Sequence, residues 1–173
     1  TELTPCLANQ IYLASLDAAN REFLPDEVFE TPSAACEAVD FLTSCYESED
    51  GPFVYAVLLR PGEYIGHVEA VRIDRGWEVG YHIAEAFTGC GYATEALAAF
   101  IPFIMRRLNT SELWGICRAD NIASWRVLEK CGFVLEHEGE ASYHGKIHMV
   151  RRYVYLSPDA SSASRGEGLP AAQ

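Results

Sequence analysis

The order of periodic segments predicts an α/β (α+β) domain, one mixed sheet covered by helices. Three observations carry this. Helical periodicity dominates the first fifty residues, three β-rich segments then follow one another with only turns between them, and a glycine-bracketed loop leads from a strand into a long helix. No internal repeat interrupts that order.

Residues 5–19 are expected to form a helix with Leu7, Ile11 and Leu16 on its apolar face, broken by Leu24-Pro25-Asp26. Thr31-Pro32 starts another, because threonine can cap a helix and proline fits its first position. Apolar residues at 35, 38, 39, 42, 45 and 46 hold the helical period to Tyr46, and the acidic stretch 47–50 with Gly51-Pro52 ends it. Strands are expected over 53–59, 64–73 and 78–83, with the Pro61-Gly62 pair marking the first turn. A long helix follows at 93–108, where Pro102 must remove one backbone hydrogen bond and bend the axis. Then come a strand at 113–118, a helix at 122–131 and strands at 133–138 and 148–156.

Of the 173 residues, 49% are hydrophobic and 22% charged, the balance of an ordinary globular chain. Residues 1–156 read as one domain, and 157–173, rich in Ser, Ala, Gly and Pro, as a solvated tail. No stretch approaches the apolar length that spans a membrane, and no membrane partner is expected. The start of the chain has neither a basic region nor an apolar core, so it does not read as a secretory signal, and it lacks Met, so further residues are expected upstream. Cysteines 6, 36, 45, 90, 117 and 131 show no C-x-x-C spacing and read as free thiols of a reducing, cytoplasmic environment.

The formal charge of −12 is unevenly spread. Residues 1–51 hold eleven carboxylates against the single base Arg21. That field repels phosphates, which argues against nucleic acid, and attracts a cationic partner.

The segment Phe87-Thr-Gly89-Cys90-Gly91-Tyr92-Ala93-Thr94-Glu95-Ala96 has the makings of an anion cradle. Two glycines let successive N–H groups turn inward, and the helix N-terminus adds its positive dipole end. It is neither a Walker loop nor G-x-G-x-x-G. In the later segment 118–133, Asp120 or Asn121 can cap a helix and Gly132 can end it.

Taken together, Glu78-Val-Gly80-Tyr81, Gly89-x-Gly91-Tyr92-Ala-Thr-Glu95-Ala96 and Asn121-x-Ala-Ser124-x-Arg126-Val-Leu-Glu-Lys130-x-Gly132-Phe133 resemble the GNAT superfamily of N-acetyltransferases, in its ribosomal-protein N-terminal (RimJ/RimL-like) branch. The resemblance is strongest over 77–133, weaker over 53–76 and 133–156, and does not extend to 1–50. It implies a mostly antiparallel GNAT sheet, acetyl-CoA as donor, a primary amine as acceptor, and direct attack in a ternary complex. It assigns the pyrophosphate to the amides of Gly89, Cys90, Gly91, Tyr92 and Ala93, with Thr94 beside them. The pantetheine arm falls to Val79, Tyr81 and Ile83, on a strand splayed from 113–118. Asn121 would touch coenzyme A, and Ser124 would sit near the thioester sulfur. Three positions depart from the family pattern: Ala86 and Cys90 remove polar or cationic help for the phosphates, which Arg126 and Lys130 would replace, and Leu128 stands where many members carry an acidic tyrosine, leaving that role to Ser124 or water. Cys90, at a helix N-terminus, is expected to be reactive.

A protonated amine must lose a proton before it attacks a thioester. Glu69, Glu78 and His82 are the candidate bases, the last two sharing a strand face with Gly80. A backbone N–H of the strand 78–83 would hold the oxyanion. His67, His137, His144 and His148 form no metal-binding spacing, so no metal is expected. In the family the first helices border the acceptor groove, so their negative charge would draw a peptide N-terminus, a polyamine or an aminoglycoside. The competing reading is a non-catalytic, acyl-CoA-binding regulatory domain. If the first strand of the usual sheet lies upstream of Thr1, the sheet edge it leaves exposed would be covered by a partner subunit in a homodimer.

Overall fold

The computed structural model describes residues 1–60 and 62–158. The expected tail therefore lies almost wholly outside the described residues. Strands β1 (Phe53–Arg60), β2 (Glu63–Ile73) and β3 (Gly76–Ile83) form an antiparallel meander. Helix α4 (Tyr92–Leu108) then returns the chain to β4 (Glu112–Arg118), which runs parallel to β3. Helix α5 (Ile122–Lys130) leads to the hairpin of β5 (Val134–Tyr143) and β6 (Lys146–Leu156). The spatial order is β1-β2-β3-β4-β6-β5, with β3–β4 the only parallel neighbours, so the sheet is mixed and mostly antiparallel.

Helices cover both faces. Against one face, α4 and α5 bury a core that includes Phe53, Trp77, Val79, Leu97, Ile104 and Tyr153. α4 runs on through Pro102, which lies on its exposed side. Against the other face, α1 (Ala8–Ser15) and α3 (Pro32–Ser44) close a smaller cluster around Leu3, Leu7, Val39, Val54 and Tyr64. Thr31 caps α3, its hydroxyl accepting the Ala34 N–H at 3.2 Å, with Pro32 at the first helical position.

Three expectations need correction. The helix expected over 5–19 is divided into a 3-10 turn (Pro5–Leu7), α1 and α2 (Ala18–Phe23). Polar side chains fix the break: the Asp17 carboxylate accepts the Glu85 N–H at 2.7 Å, and the Asn20 amide donates to the Ser15 carbonyl at 3.2 Å. The last two strands are longer than expected, because residues 139–147 continue the hairpin without an apolar alternation; its turn is made by His144 and Gly145 at φ 47 and 73. The β1 edge is partly covered rather than open, since Glu2 bridges to Tyr55 and Ala56 donates to the Thr1 carbonyl at 2.8 Å.

Two local irregularities set up the site. Opposite β2, Val57 pairs with Gly66 but Leu58 with Tyr64, so Ile65 is bulged and Tyr64 turns to the face carrying His67 and Glu69. Between β3 and β4 the register holds at one pair, Glu78 with Trp114, and the seam opens beyond it. No helix among the described residues is long and apolar enough to cross a membrane.

Candidate active site

The open seam widens into a cleft of about 700 Å³. One end is built from backbone. Gly89 and Gly91 adopt φ 75 and 87, and nothing lies within 4 Å of where a Cβ would stand. The left-handed backbone, not crowding, demands glycine at both positions. The turn delivers the N-terminus of α4 to the cleft, where Gly89, Gly91, Tyr92, Ala93 and Thr94 line the wall. Val79, Tyr81 and Ile83 from β3 line it as well, and Asn121, Ser124, Arg126 and Lys130 bring the edge of α5. Cys90 does not join them: its thiol is exposed outside the lining, so only its backbone belongs to the loop. The Asn121 side chain caps α5, accepting the Ser124 N–H at 3.1 Å.

Two hydroxyls meet inside the cleft. Tyr81 donates to the Ser124 carbonyl at 2.7 Å, and its oxygen lies 3.0 Å from Ser124 Oγ. Burial holds the Tyr81 phenol well above its ordinary range, with the Ser124 hydrogen bond opposing. With the phenolic proton committed to the carbonyl, the Ser124 hydroxyl is the mobile donor of the pair. It also reaches Cys117, whose thiol burial pushes up to about 11.

The other end is built from side chains on the opposite sheet face. Glu69 pairs with Gly80 across β2 and β3, and a Cβ at Gly80 would lie 2.4 Å from the Glu69 carboxylate oxygen. Glycine at 80 therefore makes room for Glu69. Burial first, then the charge of Glu27, raises Glu69 to about 7, with His67 opposing. Glu78, at the apex of the seam, is also raised to about 7 by burial and by Glu69, while a backbone hydrogen bond from Ile116 pulls the other way. His82, paired with His67, is lowered to about 4 by burial and by the His67 charge.

Sequence reasoning missed the network that tunes these groups. His67 Nδ1 lies 2.9 Å from the Tyr64 hydroxyl and Nε2 lies 3.2 Å from Glu27. Burial alone would lower His67, but Tyr64, Glu27 and Glu69 together hold it well above the ordinary histidine range. Burial would raise Glu27, yet His67 brings it below the ordinary carboxylate range. Glu27 comes from the turn after α2, forty positions from His67, in a segment with no motif; only the Pro25 turn hinted at structure there. The donor atoms of Glu27, His67 and Glu69 lie within 4.8 Å of one another, a spacing that could hold a cation. His67 joins Tyr64 and Glu27 through its two ring nitrogens, and Glu69 couples to His67 and Glu27 through charge. Another bridge unseen in the sequence joins His144, on the hairpin turn, to Asp26 across the mouth of the cleft.

Comparison with known proteins agrees with this architecture. A model described as an acetyltransferase (GNAT) domain matches residues 6–134. The uncharacterized N-acetyltransferase YnaD of Bacillus subtilis (strain 168) is 25% identical over 125 residues, 70% of either chain. RimL, a ribosomal α-N-protein acetyltransferase solved in complex with coenzyme A, superposes with a TM-score of 0.78 at 22% identity, over 90% of this chain and 92% of its own. A GNAT-family acetyltransferase from Bacillus anthracis gives 0.77 at 17% identity, again over 90% and 92%. With a glycine-turned helix N-terminus facing a sheet opened at one seam, and a family model spanning well over half its length, this chain belongs to the GNAT acetyltransferase family.

Proposed function

We propose that this protein transfers the acetyl group of acetyl-CoA to a primary amine by direct attack, with Glu69 as general base. One observation carries the reading: a half-buried carboxylate raised to about 7 lies against Gly80, on the strand whose seam opens into the cleft. A base works best when its pKa lies near the working pH. His82 at about 4 is too weak to compete. Glu78 is tuned as well as Glu69, but its backbone contact to Ile116 ties it to the seam, and it is read as a positioning residue.

In the step itself, Glu69 takes a proton from the amine, directly or through a water. The nitrogen bonds to the thioester carbon while a β3 N–H steadies the oxyanion. The C–S bond then breaks, the thiolate takes the hydroxyl proton of Ser124, which Tyr81 holds in place, and Ser124 regains a proton from the one the attacking nitrogen sheds as it becomes the amide. The donor's pyrophosphate rests on the amides from Gly89 to Thr94, with Arg126 and Lys130 beside them, and its pantetheine arm follows Val79, Tyr81 and Ile83. Coenzyme A in the structurally similar RimL supports this donor. Residues 1–156 act as one catalytic domain in this reading, working in the cytoplasm in the manner of the RimJ/RimL-like branch, and the exposed Val134 and Leu135 on the edge strand β5 offer a surface for homodimer pairing.

The test is thiol release from acetyl-CoA over a panel of amines. Amine-dependent release that Glu69→Gln abolishes, with acetyl-CoA affinity retained, is the expected result. Acetyl-CoA binding without turnover for any amine would replace this reading with the regulatory one.

A further inference from the structure

Behind Glu69 lies a second cavity, about 240 Å³, between the sheet and helices α1 and α3. Its body is apolar, walled by Leu3, Ile11, Val39, Leu42, Val54 and Val71. Only four residues line both this chamber and the main cleft: Asn20, Glu27, Glu69 and His82. The junction is therefore polar, and past it only Ser15, Tyr64 and His67 interrupt an otherwise apolar wall.

Asn20 adds an independent sign of a ligand. Its side chain is 2% exposed, and its amide nitrogen donates to Ser15, but its buried oxygen has no hydrogen-bond partner among the described residues. A buried acceptor left unpaired is unfavourable by a large margin, so its position at the junction of two cavities calls for a donor from outside the chain. Two carboxylates, Glu27 and Glu69, border the same junction. Together these groups accept hydrogen bonds, and an amine supplies them.

We infer that the acceptor is a primary amine bearing a compact apolar group, aromatic or branched aliphatic, whose nitrogen sits at the Asn20–Glu27–Glu69 junction and whose apolar group fills the chamber. This rests on the acetyl-transfer reading above and narrows its substrate. Size agrees, since an apolar cavity of about 150 Å³ already takes up benzene. Chemistry also selects against polyamines: a second ammonium would have to enter a mainly aliphatic wall beside the His67 cation, with no carboxylate past the mouth. Free arylalkylamines and peptides with an apolar first residue share the recognised chemistry.

The experiment measures kcat/KM with acetyl-CoA for phenethylamine, isoamylamine, ethylamine, spermidine and peptides beginning with Phe or Ser. Phenethylamine or isoamylamine should exceed ethylamine and spermidine by at least about tenfold, the scale of one or two methylenes in an apolar pocket. If the Phe-peptide beats both the Ser-peptide and phenethylamine, the apolar group belongs to a peptide; if phenethylamine leads, the source is a free amine, and either result supports the assignment. Spermidine, ethylamine or the Ser-peptide as the best acceptor overturns it and leaves acetyl transfer standing. Ala38→Phe, which fills the chamber from α3, should lower the phenethylamine-to-ethylamine ratio of kcat/KM about tenfold. Should Ala38→Phe fail to fold, Leu42→Phe tests the same ratio, and an unchanged ratio in a folded variant overturns the inference. If no amine is turned over but phenethylamine still raises Tm, the catalytic reading fails while the pocket stands; no turnover and no Tm shift removes both.

Discussion

In the proposed mechanism the two ends of β3 hold their ligands by different means. Near Ile83 the chain turns through Gly89 and Gly91 and presents main-chain amides, so the side chains there matter little; even Cys90 points away. Around Gly80, the proposed chemistry rests on side chains from β2, β3 and the turn after α2, packed so that their charges interact. A backbone site depends on torsion angles and tolerates sequence change at its non-glycine positions. A side-chain site depends on burial and pairing, and one substitution changes its chemistry. Donor affinity and amine chemistry should therefore separate cleanly on mutation.

Glu69→Gln gives the largest expected effect. Removing a positioned general base lowers kcat/KM by roughly 10²–10⁴-fold. Isothermal titration should show acetyl-CoA affinity within about twofold of the parent, since the removed group does not touch the amide cradle. In the parent, kcat/KM for the amine should rise with pH and level off above about 7, where Glu69 is ionised. That limb should vanish in the variant.

Gly91→Val sharpens the comparison from the other end. A β-branched residue at φ 87 is strained by about 1–2 kcal/mol or more, which corresponds to roughly five- to thirtyfold in donor Kd. The amine's pH profile should keep its midpoint. A shifted midpoint would mean that the two ends communicate.

Stability offers a third break. Glu69 and Glu78 have folded-state pKa values raised to about 7, so each binds its proton more tightly folded than unfolded. Their contribution is fully present below the ordinary glutamate range and is lost as pH rises to about 7. At about 1.4 kcal/mol per pKa unit, each ionised carboxylate then destabilises the fold by roughly 3 kcal/mol. Glu69→Gln and Glu78→Gln should raise Tm by a few degrees at pH 8, and the difference should fade towards pH 4.5. Equal gains at both pH values would contradict the buried-charge account.

The smallest effect concerns approach. The acidic first third places Glu22 against Arg118, Asp26 against His144 and Glu27 at the cleft itself. Added salt should raise the acceptor KM a few-fold and leave kcat unchanged. An unchanged KM would assign that charge to solvation alone.

What could be read in advance follows the same division. Gly89 and Gly91 before a helical period are local signals, and so is the Thr31-Pro32 start of α3; local chemistry is written in neighbouring letters. Glu69 and Glu78 could be named as acids on strands, but not ranked, because their tuning comes from burial, from Glu27 beside Glu69 and from Glu69 beside Glu78, all of which exist only after the sheet forms. Asn20 carried no sequence signal at all: its importance lies in an oxygen left unpaired by the α1–α2 break, and the pattern of residues 5–19 read as a single helix. The extended β5–β6 hairpin escaped notice because its far end is exposed on both sides and lacks alternation.

The single ladder pair between β3 and β4 has one more consequence. It splits the sheet into two halves, β1–β3 and β4–β6, each internally well knit. In the proposed reading the donor occupies the gap between the halves, while the chamber assigned to the acceptor belongs to the first half and its helices alone. Substitutions in α1 or α3 can thus redraw which amine is taken without disturbing how the acyl carrier is held. A chain made this way can acquire a new clientele while keeping its old tool.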